Sequence, residues 1–403
     1  MAETFYLNVN DEDDVDRFAL HEPDRLGVLT STRSIVEQGE YVWINQDRLP
    51  GVAAQLIAAN PLTSTSTWYE RYHFNDGTER TVNWVLVLDA LNFCFWPEKG
   101  QQRWRIEYQG SQAGDDKESQ EGDHEGTLVG EHKRARTGDR KGATARDHKG
   151  SQAGDHKGSP LLDGYWAEAA SLTRAVEEGI PLWDAEYLSK MSREQLAHIF
   201  RGIPSPGHPE GEMIPLFEQR LHNVHEVGRV LLEHYGGQFA NAVEQANHSA
   251  VRLVLLLAEQ FSSFHDVARY RGHEVCFWKR AQICVADLNG SFGGKGFGSF
   301  TDLDQLTAFA DYKVPQVLRH FGILEYHPSL AACIDKQDLI AAGSEEEIEL
   351  RAATVWACEL LRRQMAHSSG NTITAAEVDN RLWHIGQNIP EMKPYHRVRT
   401  VYY

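Results

Sequence analysis

The stretch LFEQRLHNVHEVGRVLLEHYGG, which spans residues 216–237, decides the class of fold. Its large apolar residues recur at the spacing of one helix face, at Leu216, Leu221, Val224, Val227, Val230 and Leu231. Gly236 and Gly237 end the pattern, because glycine accepts the left-handed conformation that often closes a helix. The segment therefore predicts an amphipathic α-helix, and residues 239–261 repeat the same logic in a second helix.

Helical patterns also dominate the chain on both sides of this stretch. Residues 31–60 read mainly as helix, and residues 165–180 carry a helical apolar face that ends at Ile180-Pro181. Ser192 followed by Gln195 has the spacing of a capping box, which predicts a helix start. Further helices are predicted across residues 276–288, after Asp311 through 317–318, across 348–365 and across 375–385. These patterns predict a mainly α fold.

Two segments near the N-terminus interrupt the helical pattern. Residues 81–96 (TVNWVLVLDALNFCFW) are rich in β-branched and aromatic residues, and 92–96 have the composition of a strand. The first half fits a buried strand or a buried helix, and we favour a strand with a turn at Asp89-Ala90. Residues 103–108 alternate in polarity and predict a second strand. The expected fold is a helical body with a small N-terminal antiparallel β-sheet.

A polar insertion divides the chain. Residues 110–160 contain no Phe, Trp or Tyr, and the segment SQAGD occurs at both 111–115 and 151–155. Such a segment buries too little apolar surface to order itself, so we predict a disordered low-complexity insertion. It separates an N-terminal part, 1–109, from a helical catalytic body, 161–403, and we expect these two to form one compact unit. The residues on either side of the insertion are then neighbours in space.

Composition excludes several classes of function. Acidic residues outnumber basic ones by 58 to 40, for a net charge of −18, whereas nucleic-acid polymers attract basic surfaces. We therefore expect a small-molecule partner and no nucleic-acid polymer. The longest apolar run, residues 251–258, is interrupted by Arg252 and is too short to span a membrane. The five cysteines lack CxxC spacing and the N-terminus lacks a signal-peptide pattern, so we expect a cytoplasmic protein. We also expect a monomer.

The run FADYKVPQ, residues 309–316, carries the best candidate for chemistry. Asp311 lies just ahead of a predicted helix, where its ordinary structural role is that of an N-cap. The same geometry lets its carboxylate face a pocket, where it can stabilise positive charge on a sugar ring or take a proton from water. Phe309 and Tyr312 are suited to stacking against a flat base. From these residues alone, the structural and the catalytic interpretations are about equal.

Other polar segments are weaker candidates. Lys279-Arg280-Ala281-Gln282 lies on a predicted helix, where a solvated or salt-bridged face is the ordinary interpretation. The glycine-rich loop at 293–298 is not a phosphate loop, because it follows a helix and lacks the GK[ST] signature. His222, His225 and His234 lack a cluster of partner ligands, so we expect no metal. The sequence predicts no other cofactor.

Six further segments are characteristic of one family. They are Asn83-Trp84-Val85, LNFCFW at 91–96, Gly164-Tyr165-Trp166, RAVEEGIP at 174–181, KRAQI at 279–283 and Val401-Tyr402-Tyr403. With the 309–316 run, they make nearly the whole chain outside the insertion resemble the queuosine-salvage family, the queuosine 5′-phosphate N-glycosylases. The order of helix, glycine-containing loop, apolar residue, Asp and helix also resembles the helix-hairpin-helix DNA glycosylases in topology.

The resemblance to the queuosine-salvage family implies a reaction. Its members hydrolyse the bond between queuine, a 7-deazaguanine base, and ribose 5-phosphate, which returns queuine to tRNA modification. Their catalytic aspartate lies in the FAD[YF] run, here Asp311, and the phenylalanine of that run, here Phe309, lines the base site. A histidine ahead of the NWV segment also contacts the substrate, and His73 occupies that place.

The family also places polar substrate contacts around a Leu-Trp pair in the C-terminal helix. The corresponding residues here are Asp379, Asn380 and His384. The family often has Tyr and Asp where this chain has Asn380 and His384, so Asp379 is the best matched of the three.

The chemistry of a 7-deazapurine fits a carboxylate enzyme without a metal. Because carbon replaces N7, protonation of N7 cannot help the base to leave, so catalysis depends on stabilising the oxocarbenium-like sugar and activating water. Asp311 can serve both needs. The phosphate requires positive charge, for which Lys279, Arg280 and Lys313 are the candidates, and a helix N-terminus can add to them.

Two other classes of function compete with this hypothesis. One is a non-catalytic nucleoside- or tRNA-binding module on a glycosylase-like scaffold, against which the acidic charge argues. The other is a DNA base glycosylase, which requires a basic DNA-facing surface that the sequence does not show.

Overall fold

The computed structural model describes residues 18–20, 22–59, 71–109, 161–204 and 211–403. The predicted insertion at 110–160 lies outside the described residues. The described chain is mainly helical, as predicted. Its α-helices are α1 (Val28–Gln38), α2 (Leu49–Ala59), α3 (Glu79–Leu91), α4 (Gly164–Glu177), α5 (Ala185–Ser189), α6 (Arg193–Ile199), α7 (Phe217–Tyr235), α8 (Phe239–Ala246), α9 (Ala250–Gln260), α10 (Lys279–Ser291), α11 (Lys313–His320), α12 (Pro328–Asp335), α13 (Glu345–Ser369) and α14 (Ala375–Asn388).

Local capping signals set several of these helix ends. Helix α7 confirms the interpretation of residues 216–237, and it ends at Gly236 with a left-handed φ of 59°. Helix α6 begins with the predicted capping box, in which Ser192 and Gln195 bond reciprocally. The single helix predicted for 239–261 is wrong, because Asn247 adopts a φ of 50° and Ser249 then caps a new helix.

Helix α3 corrects the strand predicted for residues 81–96. Thr78 caps this helix by accepting a hydrogen bond from the Arg80 amide, and every residue from Thr81 to Leu91 is buried. A helix that is buried on all sides reads as a continuous apolar run and shows no helical periodicity. Residues 92–96 follow it as a segment outside any helix or strand, in which Cys94 has a φ of 45°.

The strands are short and form two-stranded sheets. They are β1 (Val42–Ile44), β2 (Arg105–Glu107), β3 (Leu161–Asp163), β4 (Val267–Tyr270), β5 (His273–Cys276), β6 (Leu324–Tyr326), β7 (Leu339–Ile340) and β8 (Arg397–Val398). The pairs β1–β6, β2–β3 and β4–β5 are antiparallel, whereas β7 and β8 pair in parallel. The strand predicted within 103–108 is confirmed as β2. Its register places Glu107 opposite Leu161, so the residues flanking the insertion are neighbours, as predicted.

Two predicted helices are shorter than expected because strands occupy part of their sequence. Residues 31–60 form α1 and α2 with β1 between them, and β1 pairs with β6 from the distant C-terminal half. The helix predicted for 276–288 begins only at Lys279, because Cys276 belongs to β5 of a hairpin with β4. Both corrections depend on pairing partners that a local pattern does not reveal.

The apolar core is built around two central helices. Helix α3 packs against α7, α8 and α10, whereas α13 packs against α1, α2 and α14. Because α3 precedes the insertion and α7 and α10 follow it, the two sides of the insertion share one core. The assignment of residues 1–109 and 161–403 to two named parts stays a prediction.

The connection between α10 and α11 contains two 3-10 turns, at Gly296–Gly298 and Leu303–Gln305, in place of a compact hairpin. A helix-hairpin-helix core stays a prediction. Within the described residues, no helix combines the length and the apolar composition needed to cross a membrane.

Gly228 lies where α7 crosses α5, and its replacement by alanine is expected to destabilise the protein by about 1–3 kcal/mol. A Cβ at this position would lie 2.6 Å from the Ala185 carbonyl oxygen and closer still to the Ser189 amide nitrogen. Gly51, inside α2, has no atom within 4 Å of such a Cβ. Gly51→Ala is the matched control, and we expect it to stabilise the helix by up to about 1 kcal/mol. Urea denaturation compares the two, and equal free energies of unfolding would contradict the proposed close approach.

Candidate active site

A cavity of about 330 Å³ collects the predicted site residues. Its walls come from the segment after α3, the start of α4, one face of α10, the segment leading into α11, and one face of α14. The predicted residues that line it are Lys279, Phe309, Asp311, Tyr312, Lys313, Asp379, Asn380 and His384. The volume lies in the range of small-molecule sites.

Asp311 lies on the cavity wall at the start of α11. Its Oδ1 accepts hydrogen bonds from the amides of Lys313 at 2.8 Å and Val314 at 2.9 Å, so the predicted capping role is present. Both bonds end on Oδ1, and Oδ2 accepts no hydrogen bond within the part of the chain that the structure describes. Burial raises the pKa of Asp311, while Lys279 and the two amide donors oppose that rise. The cap therefore fixes a carboxylate with one oxygen available to a ligand.

Two lysines lie close to this carboxylate. Lys279 is buried at the first turn of α10, and burial lowers its pKa while Asp311 and Asp89 oppose the change. Lys313 is partly buried, and burial lowers its pKa as well, again opposed by Asp311. Both ammonium groups thus interact with Asp311, and either can hold an anion beside it.

Arg103 is a third cation on the wall, and the sequence interpretation did not select it. Its guanidinium donates to Asp163 Oδ1 at 3.1 Å and to the Tyr395 hydroxyl at 2.9 Å. The Tyr395 ring lies 4.9 Å from the Tyr312 ring, centroid to centroid. Because Asp163 reaches Arg103 through the β2–β3 pairing across the insertion, no local sequence signal could have identified this residue.

The C-terminal helix α14 supplies the polar contacts that the family resemblance implied. Asp379 is buried, and its Oδ1 accepts the Phe309 amide at 2.9 Å, which fixes the segment just before Asp311. Burial raises the pKa of Asp379 well above its usual value, and the nearby Asp311 raises it further. His384 lines the same cavity, and burial lowers its pKa. Asn380 lies beside them on the wall.

Aromatic rings form another wall. Trp166 and Trp383 meet edge to face with centroids 5.7 Å apart, and Tyr165 lies 6.3 Å from Trp383 in the same arrangement. Flat rings at such spacings are suited to an aromatic ligand. Tyr165 and Trp166 belong to one of the family segments quoted above, and Trp383 belongs to the Leu-Trp pair of α14, but no role was predicted for these three rings.

His73 and Arg280 lie away from the cavity wall. His73 is buried behind Tyr165, with its Nε2 2.9 Å from the Tyr165 hydroxyl. Arg280 is buried in the core, where its guanidinium donates to the carbonyl oxygens of Asp89, Ala90 and Ser263. These bonds hold the guanidinium in the core and away from the cavity, so Arg280 is corrected from a candidate phosphate ligand to a core residue. The expected solvated face of the 279–282 segment is likewise wrong, since Lys279 and Gln282 are buried too.

Asp287 is a carboxyl group on the wall that was not predicted as a site residue. It shares a face of α10 with Lys279 and Ile283, and all three line the cavity. Their spacing of four residues is a signal that could have found it. Among the described residues, no group of three or more His, Cys, Asp or Glu side chains could hold a metal ion.

The fold and cavity define a class of protein: a mainly helical chain with an aromatic, carboxylate-lined cavity that takes a small molecule. A family model described as "Queuosine salvage protein" matches residues 72–403, and the chain belongs to that family.

The relatives share nearly the whole chain. A Sphaerobacter thermophilus protein is 45% identical over 381 residues, which cover 94% of this chain and 98% of the relative. A Bos taurus protein is 30% identical, covering 94% of this chain and 99% of the relative. A Mus musculus protein is 29% identical, covering 93% and 97% respectively. All three are named "Queuosine 5′-phosphate N-glycosylase/hydrolase".

Proposed function

We propose that this protein hydrolyses the N-glycosidic bond of queuosine 5′-phosphate and releases queuine and ribose 5-phosphate. The observation that carries the proposal is the placement of Asp311, which two backbone amides fix on the wall of a cavity shared with two lysines and an aromatic wall. The names of the relatives supply the substrate, and the cavity has the groups that this substrate needs.

Asp311 serves the reacting carbon. When the bond from C1′ to the base breaks, positive charge develops on the sugar, and a carboxylate beside it stabilises that charge. The same group accepts a proton from the attacking water, and its raised pKa suits this step. Since Oδ1 is engaged in the cap, Oδ2 faces the sugar.

The aromatic wall and α14 serve the base. Tyr165, Trp166 and Trp383 offer ring contacts to the flat 7-deazaguanine, together with Phe309 from the segment before Asp311. The base edge carries N–H donors, and Asp379 is a carboxyl group on the wall that can accept them.

Lys279 and Lys313 serve the phosphate. A 5′-phosphate lies within a few bonds of C1′, so its ligands must lie close to the catalytic carboxylate. Both lysines meet this condition, because both interact with Asp311. Their positive charges offset the phosphate charge inside a net-negative protein.

We expect Lys279→Met and Lys313→Met each to reduce the preference for the phosphorylated substrate by about 10- to 100-fold, the size of one charge-assisted contact. The quantity to measure is kcat/KM for queuosine 5′-phosphate divided by kcat/KM for unphosphorylated queuosine. This ratio cancels any effect of the lysine on Asp311 itself. Lys295→Met, in the exposed glycine-rich loop, is the matched control and should leave the ratio unchanged.

The decisive experiment incubates the protein with both compounds and quantifies free queuine from each. Release of queuine from the nucleotide supports the proposal. Tight binding of either compound without any release would contradict it and favour the non-catalytic nucleoside-binding module. Steeply salt-dependent binding of tRNA would also favour that module.

We also propose that the protein acts as a monomer in the cytoplasm. The cavity walls described above all come from a single chain, so the site needs no partner subunit. The five cysteines carry free thiols, which fits a reducing compartment.

A further inference from the structure

Asp287 is a second carboxyl group in the cavity that holds Asp311. Helix α10 directs it to the wall through the face that it shares with Lys279 and Ile283. It is buried, with 7% of its surface exposed, so solvent has little access to the carboxyl group. The chemistry proposed above, which assigns the sugar to Asp311 and the phosphate to lysines, gives Asp287 no role.

A hydrogen-bonded chain behind the wall orients this carboxyl group. The Tyr165 hydroxyl donates to Asp287 Oδ2 at 3.4 Å, and the same hydroxyl lies 2.9 Å from His73 Nε2. With the Tyr165 hydroxyl proton directed to Asp287, the matching tautomer of His73 carries its proton on Nε2 and donates it to the Tyr165 oxygen. Oδ2 of Asp287 is thereby the acceptor, which leaves Oδ1 as the oxygen that can carry a proton towards a ligand.

Burial favours the protonated form of Asp287. Asp89, on α3, lies near enough that Asp287 raises the pKa of Asp89, after the larger effect of burial. Burial raises the pKa of Asp287 itself to about 7, opposed by Tyr165 from α4 and by Lys279 on its own helix. The Cys284 thiol also interacts with Asp287. Burial raises the pKa of this thiol well above its usual value, and Asp287 adds a smaller rise.

The departing base needs such a proton. In the reaction proposed above, the electron pair of the C1′–N9 bond passes to the base, and the negative charge must be neutralised. A 7-deazapurine lacks N7, so the oxygen O6 and the ring nitrogens that remain are the sites open to protonation. Paired carboxyl groups with separated pKa values divide the acid and base roles in this way in other glycoside-cleaving sites.

We propose that Asp287 is the general acid of this reaction, donating its proton to the departing base, with Tyr165 and His73 as positioning residues. The proposal rests on the proposed function. As the C1′–N9 bond breaks, the Asp287 proton moves to a heteroatom of the base. Water adds its oxygen to C1′ and gives a proton to Asp311. After the products leave, Asp311 loses that proton to solvent and Asp287 regains one, so one water is consumed.

The test compares two leaving groups in Asp287→Asn. One substrate is queuosine 5′-phosphate, and the other is 4-nitrophenyl β-ribofuranoside 5-phosphate, whose nitrophenolate leaves without protonation. We expect kcat for the nucleotide to fall by about 10²- to 10⁴-fold, the usual contribution of a general acid. For the nitrophenyl substrate, kcat should fall by less than about 3-fold, because its leaving group departs without being protonated.

Several outcomes would overturn the assignment. Equal losses on both substrates would make Asp287 a structural residue, and a raised KM with unchanged kcat would make it a base-recognition residue. If Asp287→Asn kept the wild-type kcat for the nucleotide, Asp287 would have no role in the reaction. If the wild-type protein releases no base from queuosine 5′-phosphate, the proposed function itself fails, and that result is distinct from all of these.

The pH profile provides a second readout. Wild-type kcat for the nucleotide should fall above a pH of about 7, where Asp287 loses its proton. Asp287→Asn should abolish this basic limb. A basic limb that persists unchanged in Asp287→Asn would contradict the proposal.

Tyr165→Phe tests the positioning chain and supplies a second variant if Asp287→Asn folds poorly. It removes the hydroxyl that bonds Asp287 Oδ2 and keeps the ring on the aromatic wall. We expect kcat for the nucleotide to fall by about 10-fold, the size of one net hydrogen bond, with little change in KM or in nitrophenyl hydrolysis. An equal loss on both substrates would contradict the positioning role.

Discussion

Replacing Asp311 by asparagine is expected to lower the rate of base release from queuosine 5′-phosphate by at least about 10³-fold while leaving the protein folded. The substitution removes the negative charge that stabilises the sugar cation and the base that accepts the proton of water. Ligand binding should remain nearly intact, because the aromatic wall and the two lysines are unchanged. Single-turnover assays measure the rate, and calorimetry of queuine binding measures the affinity.

The capping role of Asp311 makes the choice of variant important. Asparagine is as good an N-cap as aspartate, so Asp311→Asn keeps the bonds from Lys313 and Val314. Asp311→Ala removes them too and should cost about 1 kcal/mol of stability in addition to activity. Asp184 accepts the amides of Glu186 and Tyr187 at the exposed start of α5, and it is the matched control.

We expect Asp184→Ala to lower stability by a similar amount and to leave catalysis unchanged. If Asp311→Asn retained wild-type turnover, Asp311 would be a cap only. The structural interpretation of its sequence position would then be sufficient.

Replacing Arg351 by methionine is expected to destabilise the protein by about 3–5 kcal/mol, the largest stability effect among these variants. Arg351 and Asp266 form a two-bond ion pair at 2.8 and 2.6 Å, and both side chains are 3% exposed. Methionine fills much of the volume but leaves the Asp266 carboxylate buried without its cation. Chemical denaturation followed by circular dichroism measures the effect.

The same arginine joins the two segments that carry the catalytic groups. Its Nε donates to the carbonyl oxygen of Ala310, the residue before Asp311, at 3.2 Å. Asp266 Oδ2 in turn accepts the Lys279 amide at 3.0 Å. We therefore expect Arg351→Met to lower kcat by about 10-fold under conditions where it remains folded, because small misplacements of reacting groups are costly.

Two comparisons test the buried pair. In Arg351→Met with Asp266→Asn, the unpaired charge is gone while an acceptor for Lys279 remains, so the double variant should be more stable than Arg351→Met alone. Arg229, in an exposed pair with Glu233 on α7, is the control, and Arg229→Met should change stability by less than about 1 kcal/mol. Additive effects in the double variant would contradict the interpretation.

Helices whose apolar residues cover one face were predicted correctly from the sequence. The prediction failed for the helix that is buried on all sides. Helix α7 has a polar side and ends at Gly236, so its pattern is visible. Helix α3 is buried from Thr81 to Leu91, so its pattern is that of any buried segment, and composition then favoured a strand. The short strands were hard to predict for another reason, since the paired residues Ile44 of β1 and Leu324 of β6 are 280 positions apart in the chain.

The residues of the candidate site also differ in how far the sequence could predict them. Asp311 could be selected from its local sequence, because a carboxylate ahead of a helix start with aromatic neighbours is visible in one short run. Lys279 and Arg280 are adjacent in sequence, yet one lines the cavity and the other bonds core carbonyls. No local pattern distinguishes them, because a helix turns by about 100° per residue and only its neighbours decide what each face meets.

The sequence by itself determined the mainly α class, the family and the catalytic candidate Asp311, because each of these depends on short runs of sequence that can be recognised one at a time. Only the tertiary structure showed that Arg103 and Asp287 line the same cavity as that aspartate, whereas Arg280 lies in the core. Arg103 reaches the wall through a pairing across the insertion, and Asp287 becomes a buried carboxyl group only when α3, α4 and α10 meet. Burial and long-range charge set the chemistry of these groups, and both arise only when distant segments pack together.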